Sequence, residues 1–273
     1  MIRENRMKKE NAMTRRPTQQ MYLLRLLVRR NIKNQYYRSF IGILWTVLNP
    51  LLNMAVMAFV FINLFGSEGI ALDYPVYVLS GNIIFGIMRA STTGSLPCLV
   101  EQQDMLQKTN VSIGLFPTAN AFSALVTFGF SFIALLIVML FRWFAGAYVF
   151  TWQIILTVVL LPSIMLFSLG LSYFLSALYV FFRDLRHIYS VILTLWTYLT
   201  PLFYTIDALK NATLERFMNL NPMFHYVNYF RDLLIGTIPS AEAHIVCYGF
   251  GIAMFIIGYA FLSAVRNQIA ARL

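Results

Sequence analysis

The sequence predicts an all-α integral membrane protein. It has six transmembrane helices, an N-terminal amphipathic interface helix, an external re-entrant helix pair before the last crossing, and both termini cytoplasmic. Three observations lead there: long runs without charge, the uneven placement of basic residues, and one apolar helix too short to cross. Residues 40–67, 109–141, 143–182, 187–206 and 243–265 contain no Asp, Glu, Lys or Arg, and 74–97 contains only Arg89. A helix rises 1.5 Å per residue, so about 20 apolar residues cross the hydrocarbon core. Runs of this length are too long for ordinary buried soluble helices.

Composition bounds what else the chain holds. Of 273 residues, 59% are hydrophobic and 12% charged, with mean hydropathy +0.68. A chain so committed to lipid leaves no room for a soluble catalytic domain. The two cysteines, Cys98 and Cys247, fall in or beside different membrane segments and lack the spacing of a zinc or redox site. They read as packing residues.

The net charge of +10 resembles a nucleic-acid signature until its placement is read, since 11 of the 21 Lys and Arg residues precede Ile41. Residues 1–18 form a basic tail with no apolar core, so they are not a signal peptide. A solvated cytoplasmic tail is expected, with no nucleic-acid partner. With six crossings and a cytoplasmic N-terminus, 17 basic residues lie inside and four outside (Arg142, Lys210, Arg216 and Arg231). The positive-inside bias therefore fixes the expected orientation, and the acidic external loop with Glu68 and Asp73 agrees.

Residues 19–36 read as the interface helix. Leu24, Leu27, Val28 and Ile32 recur at spacings of three and four, while Arg25, Arg29 and Lys33 repeat every fourth residue, joined by Arg30. Leu26 and Asn31 break the pattern. Such a helix anchors to anionic lipid, forms a shelf for a cytoplasmic partner, or does both. Between the second and third crossings, residues 99–113 carry Glu101, Gln102, Gln103, Asp104, Gln107 and Lys108, enough for one or two helical turns. This is either a solvated connection or a stiff docking element.

The run 143–182 is too long for one upright crossing and too short for two, so Gly146 and Pro162 are read as an external lead-in to a single helix. Residues 207–242 are moderately polar but rich in apolar and aromatic side chains, with Pro222 and Gly236 bracketing a helix of about 14 residues. That is short for a span. A re-entrant helix pair on the outer side is expected, lining an exit path, since irregular backbone at membrane depth needs protein or water around it.

Chemistry-bearing side chains are few. A proton- or sodium-driven carrier needs buried carboxylates, and the only charge well inside a crossing is Arg89, toward its cytoplasmic third. Membrane transferases need clustered carboxylates or histidines. The available clusters, Arg183-Asp184-Arg186-His187 and His225-Arg231-Asp232, each contain one carboxylate, so no metal and no catalytic residue are assigned. Aromatics at 16% include Trp45, Phe59, Phe61, Phe85, Trp196, Tyr198, Phe203 and Tyr204 in or near crossings. They pack, form interfacial belts, or line a channel on which sugar rings stack.

Several motifs, in order, resemble the polysaccharide-export branch of the ABC-2 type permeases. They begin with Asn34-Gln35-Tyr36-Tyr37-Arg38-Ser39-Phe40-Ile41-Gly42-Ile43-Leu44-Trp45 followed by Asn49-Pro50-Leu51. Phe182-Arg183-Asp184-Leu185-Arg186-His187-Ile188 and Thr200-Pro201-Leu202-Phe203-Tyr204 flank the fifth crossing. Asn221-Pro222-Met223 leads to Tyr229-Phe230-Arg231-Asp232 in the external re-entrant region.

The resemblance implies a permease domain over 37–273 that moves a lipid-linked polysaccharide of O antigen, capsule or teichoic acid type across a bacterial cytoplasmic membrane. It implies a second copy of the chain and two copies of a separate ABC ATPase, which binds ATP and Mg; this chain has no P-loop motif and needs no cofactor of its own. Arg25, Arg29, Arg30, Lys33, Glu101, Gln102, Asp104 and Lys108 are the expected ATPase contacts. Arg89, Arg183 and Arg186 are expected to form a rim for the substrate's pyrophosphate. The channel aromatics would come from Trp45, Phe59, Phe85, Trp196, Tyr198, Phe203 and Tyr204. Alternatives are an ABC-2 permease for a drug or small lipid, and a stand-alone carrier or glycolipid enzyme.

Overall fold

The computed structural model describes residues 17–36, 42–65, 72–108, 111–204, 216 and 218–272, and they contain helices and connections without strands. The basic tail before Pro17, the stretch 37–41 of the first motif, and most of 205–217, including the first member of the expected re-entrant pair, lie outside the described residues.

Helix α1 (Pro17–Tyr36) covers the expected interface helix. Helices α2 (Gly42–Phe65), α3 (Tyr74–Ser95), α6 (Leu115–Phe144), α7 (Thr157–Phe181), α8 (Leu185–Leu199) and α10 (Ala241–Ala264) follow the six low-charge runs of the sequence. Between them lie α4 (Cys98–Glu101), α5 (Gln103–Lys108), a 3₁₀ turn (Trp152–Leu156) and α9 (Pro222–Ile235), and α11 (Arg266–Arg272) closes the chain. Among the described residues, three helices are long and apolar enough to cross a membrane: α6, α10, and α7 with the 3₁₀ turn that precedes it.

The others depart from a simple span for physical reasons. Helix α3 carries Asn82, Arg89 and several hydroxyls, yet 15 of its 22 residues are buried, because it runs through the middle of the bundle against α6 and α7. A helix surrounded by protein needs no lipid-compatible surface. Helix α8 has 15 residues, about 22 Å, and stops at Leu199, although the charge-free run goes on to residue 206. Pro201 pushes Thr200 out of the helical region, and Thr200 has ψ 125°. Pro162, expected in a lead-in, lies inside α7, while Gly146 makes the turn at φ +70°.

The tightest packing joins α7 and α10, which cross at small residues. Gly170 and Gly258 put backbone against backbone, and a Cβ on Gly251 would lie 2.6 Å from the Ser163 carbonyl oxygen. In membranes, where apolar packing gains little over lipid contact, this close approach is what holds helices together. Buried hydroxyls add cross-links: Ser91 and Ser172 pair at 2.9 Å, and Tyr189 donates to Thr92 at 2.7 Å.

Two apolar clusters form the core, the larger running the length of α3 and the smaller lying at the end that carries α1 and α4. The larger contains α3, α9 and the 200–204 segment. The smaller gathers Leu27 of α1, Cys98 and Leu99 of α4, Tyr173 and Ala177 of α7, and Ile269 of α11. Both cysteines are buried and unpaired with each other.

Candidate functional site

A cavity of about 630 Å³ opens along one side of the bundle between α2, α3, α6 and α8. Its polar lining comes in pairs spaced by roughly one helical turn, which puts each pair on one face. Helix α2 supplies Asn49 and Asn53, α6 supplies Thr127 and Ser131, and α8 supplies Ser190, Thr194 and Thr197. Helix α3 supplies Asn82, Gly86, Arg89 and Thr93. Apolar floor is given by Met57, Ile83, Ile87, Phe128 and Leu193.

Among the described residues the lining holds no carboxylate and no histidine, and its only charged group is Arg89. Amides and hydroxyls both donate and accept, so the walls suit a neutral polyhydroxyl chain. A polar face of this kind, wherever it lies within a membrane, needs protein or water beside it.

Arg89 bridges the groove. It donates through Nη2 to Thr197 Oγ1 at 2.7 Å, and its guanidinium carbon sits 5.1 Å from the centre of the Phe85 ring. Arg183, in the turn before α8, and Arg186, in the first turn of that helix, are exposed, and Arg186 shares the element of the polar stripe. Arg186 precedes Ser190 and Thr194 by one and two turns, so it continues that stripe. Arg183 lies over Tyr179, 5.8 Å from its ring centre.

The seven aromatics proposed from sequence fall into different surroundings. Tyr198 and Phe203 line the groove. Phe85 is buried, packed edge-on against Trp196. Trp196 donates its indole N–H to Asn221 at 2.7 Å, so it serves a structural joint. Tyr204 is part-buried and accepts from Tyr77 through its carbonyl at 2.7 Å. Trp45 and Phe59 are exposed on α2. The polar pairs, not the aromatics, define the groove, and their signal in the sequence is Asn, Ser or Thr recurring at i and i+4 within charge-free runs.

At one end of the bundle, α1 packs on α6 and reaches the polar loop. Arg30 donates to Gln102 Oε1 at 3.0 Å, and Asn31 donates to Asn120 Oδ1 at 2.8 Å. Asn31, out of place in the amphipathic pattern, thus has a specific partner. Glu101 lies beside this joint, and Asp104 and Lys108 are exposed on α5.

At the other end, α9 is held by its caps and by three tyrosines and an arginine. Asn221 Oδ1 accepts from Met223 N at 3.0 Å, Pro222 occupies the first turn, and Gly236 ends the helix at φ +94°. Asn221 also donates to Thr200 at 2.9 Å, tying α9 to the end of α8. Arg231 donates to the carbonyls of Pro201 (2.9 Å), Tyr77 (3.2 Å) and Leu202 (3.2 Å). Tyr229 pairs with His244 at 2.7 Å, and Asp232 accepts Thr237 through its carbonyl at 2.9 Å. Tyr148, in the loop after α6, donates to the Leu234 carbonyl at 2.8 Å, and burial pushes its phenol up to about 12, keeping it a donor. Asp73 and Arg142 form a two-pronged ion pair at this end, at 2.9 and 2.6 Å.

A helical bundle with apolar spans and a polar, carboxylate-free groove is the build of a membrane transport subunit, and the family comparison agrees. The profile described as ABC-2 type transporter matches residues 22–235, and the chain belongs to that family. Among curated proteins it is similar to the O-antigen export system permease protein RfbA of Myxococcus xanthus, with 32% identity over 222 residues, 81% of this chain and 83% of that protein. Two Klebsiella pneumoniae proteins of the same description are 25% and 24% identical, each covering 91% of this chain and 93% of their own length.

Proposed function

We propose that this chain is the permease subunit of an ATP-driven exporter that carries a lipid-linked polysaccharide out through a bacterial cytoplasmic membrane. The observation that carries the reading is the groove: about 630 Å³ of amide- and hydroxyl-lined space, open to one side, in a chain of the ABC-2 family. The names of its relatives, O-antigen export permeases, supply the cargo class.

In this reading all six helices α2, α3, α6, α7, α8 and α10 cross the membrane, both termini are cytoplasmic, and 37–273 acts as one domain after the tail and interface helix. A second copy closes the open side of the groove. Two copies of a separate ATPase supply ATP and Mg, and this chain carries out no chemistry of its own. The ATPase docks at the end bearing the Arg30–Gln102 joint, with Glu101, Asp104 and Lys108 presented beside it. Movement there passes to α3 and α6, which flank the loop. Arg89, Arg183 and Arg186 meet the pyrophosphate of the lipid carrier as it enters, since phosphate favours guanidinium forks. Arg231, Asn221, Pro222, Tyr229 and Asp232 shape the external exit.

The test is purification of tagged chain from its host in mild detergent, followed by identification of co-purifying proteins. A P-loop ATPase in equal stoichiometry, with surface polysaccharide lost on deletion of either gene, is the expected result. A well-folded chain recovered alone, with surface polysaccharide unchanged on deletion, overturns the reading.

A further inference from the structure

Arg25, Arg29 and Lys33 do not share the side of α1 that carries Arg30. They border a separate open trough of about 800 Å³ between α1 and α6, bedded by Leu24, Val28 and Ile32 on one side and Phe122, Leu125 and Val126 on the other. The division follows from helical geometry. Leu27, Arg30 and Asn31 turn toward α4 and the start of α6, whereas residues 25, 29 and 32 lie roughly a third of a turn or more away.

Two features mark the trough as built for an amphiphile. First, its rim carries one sign of charge: Arg25, Arg29 and Lys33 are exposed, and no carboxylate is among the described residues that line the trough. Second, its apolar bed continues. Phe122 and Val126 are followed along α6 by Gly129, beside which there is open space, and then by exposed Ile133, Ile137 and Leu140. From Phe122 to Ile137 the strip extends about 22 Å, enough for one acyl chain lying along the helix. A second copy meeting itself here would oppose two cationic rims, which is repulsive.

We propose that this trough binds one anionic phospholipid, its phosphate held by Arg25, Arg29 and Lys33 and one acyl chain laid over Phe122, Leu125 and Val126. Guanidinium forks match phosphate oxygens, and basic side chains at the interface favour anionic over zwitterionic headgroups. The site is distinct from the groove, and its existence does not depend on what the groove transports.

The test places a photoreactive benzoylphenylalanine at position 122 of the full chain and, separately, at exposed Ile256 on α10 as a reporter of bulk lipid. Both proteins are reconstituted in vesicles of equal phosphatidylglycerol and phosphatidylcholine with identical acyl chains, irradiated, and their lipid adducts weighed by mass spectrometry. The expected result is a phosphatidylglycerol preference of about fivefold or more at position 122, the factor one basic contact gives near a membrane surface, and near parity at 256. Neutralising the rim with Arg25→Gln, Arg29→Gln and Lys33→Gln together brings position 122 to parity, while Arg30→Gln leaves the preference in place. Each variant is first checked for a single symmetrical peak on size exclusion. Parity at position 122 in the original chain, a preference that survives the triple change, equal loss with Arg30→Gln, or adducts mainly to another polypeptide would each overturn the proposal.

Discussion

The guanidinium of Arg231 lies flat over the ring of Tyr77, 3.4 Å from its centre, while its nitrogens reach three carbonyls across α3 and the 200–204 segment. At 5% exposure the charge is buried with no carboxylate paired to it among the described residues, and the fork of oriented carbonyls together with the ring face offsets its desolvation. The Pro201 and Leu202 carbonyls are open to it because the helix ends before Pro201 and leaves them without helical partners, whereas the Tyr77 carbonyl lies within α3. The helix break and the buried arginine are one device.

Arg231→Met is therefore expected to cost about 1–3 kcal/mol, since the Leu202 carbonyl loses its donor and the Pro201 carbonyl keeps only the Tyr77 hydroxyl at 3.4 Å, while the Tyr77 carbonyl still accepts from Ser80 at 2.8 Å. Arg231→Lys should recover only part, because an ammonium does not reproduce the planar fork. Thermal unfolding of the detergent-purified chain, followed by static light scattering, checks this. A Met variant as stable as the parent would show that the network is incidental.

The α7–α10 crossing makes a contrast within one helix. A Cβ on Gly258 would run into the backbone of Gly170, whereas Gly249 has open space around it. Gly258→Ala is expected to reduce the yield of monodisperse protein severely, and Gly249→Ala to leave it near the parent value. Fluorescence-detected size exclusion of tagged variants measures both in one experiment.

Gly86 faces the groove with nothing within reach of an added Cβ. Gly86→Leu should fold normally yet project an isobutyl group into the space between Asn82 and Arg89. The expected outcome is loss of most surface polysaccharide, read by gel staining of whole-cell extracts, with membrane levels of the chain unchanged. Full export in this variant would move the substrate path elsewhere.

The Asp73–Arg142 ion pair ties the start of α3 to the end of α6, but Arg142 remains 39% exposed at its side chain. Solvent screening then limits such a pair to about 1 kcal/mol or less. A double-mutant cycle with Asp73→Asn and Arg142→Gln, read by thermal unfolding, should return a coupling in that range. A coupling of several kcal/mol would mean that this end is far drier than its exposure indicates.

The elements readable from sequence were those whose cause is local. Pro222 and Gly236 bracketed α9 because one residue fits a first helical turn and the other a left-handed cap, and the helix found between them has the expected 14 residues. The face assignment of α1 held at Leu27, which is buried, and at Arg25 and Arg29, which are exposed. The charge-free run continues to residue 206 while α8 ends at Leu199, so the place of that end was carried by Pro201 and not by the absence of charge. Groove composition was missed. Aromatics stand out in a sequence by size, but Phe85 and Trp196 turn inward to meet each other, whereas Asn53, Thr127 and Thr194 converge only when four helices are assembled.

The open side of the groove has a consequence for how such a chain tolerates change. In the two-copy assembly proposed above, every residue on its wall would face its own image across a symmetry axis. A substitution at Gly86 or Thr194 would then enter the passage from opposite directions at once, and no mutation could alter one wall alone. The bore would widen or narrow in doubled steps, so that small side-chain changes could switch which polymers fit while the outer surfaces stay as they were.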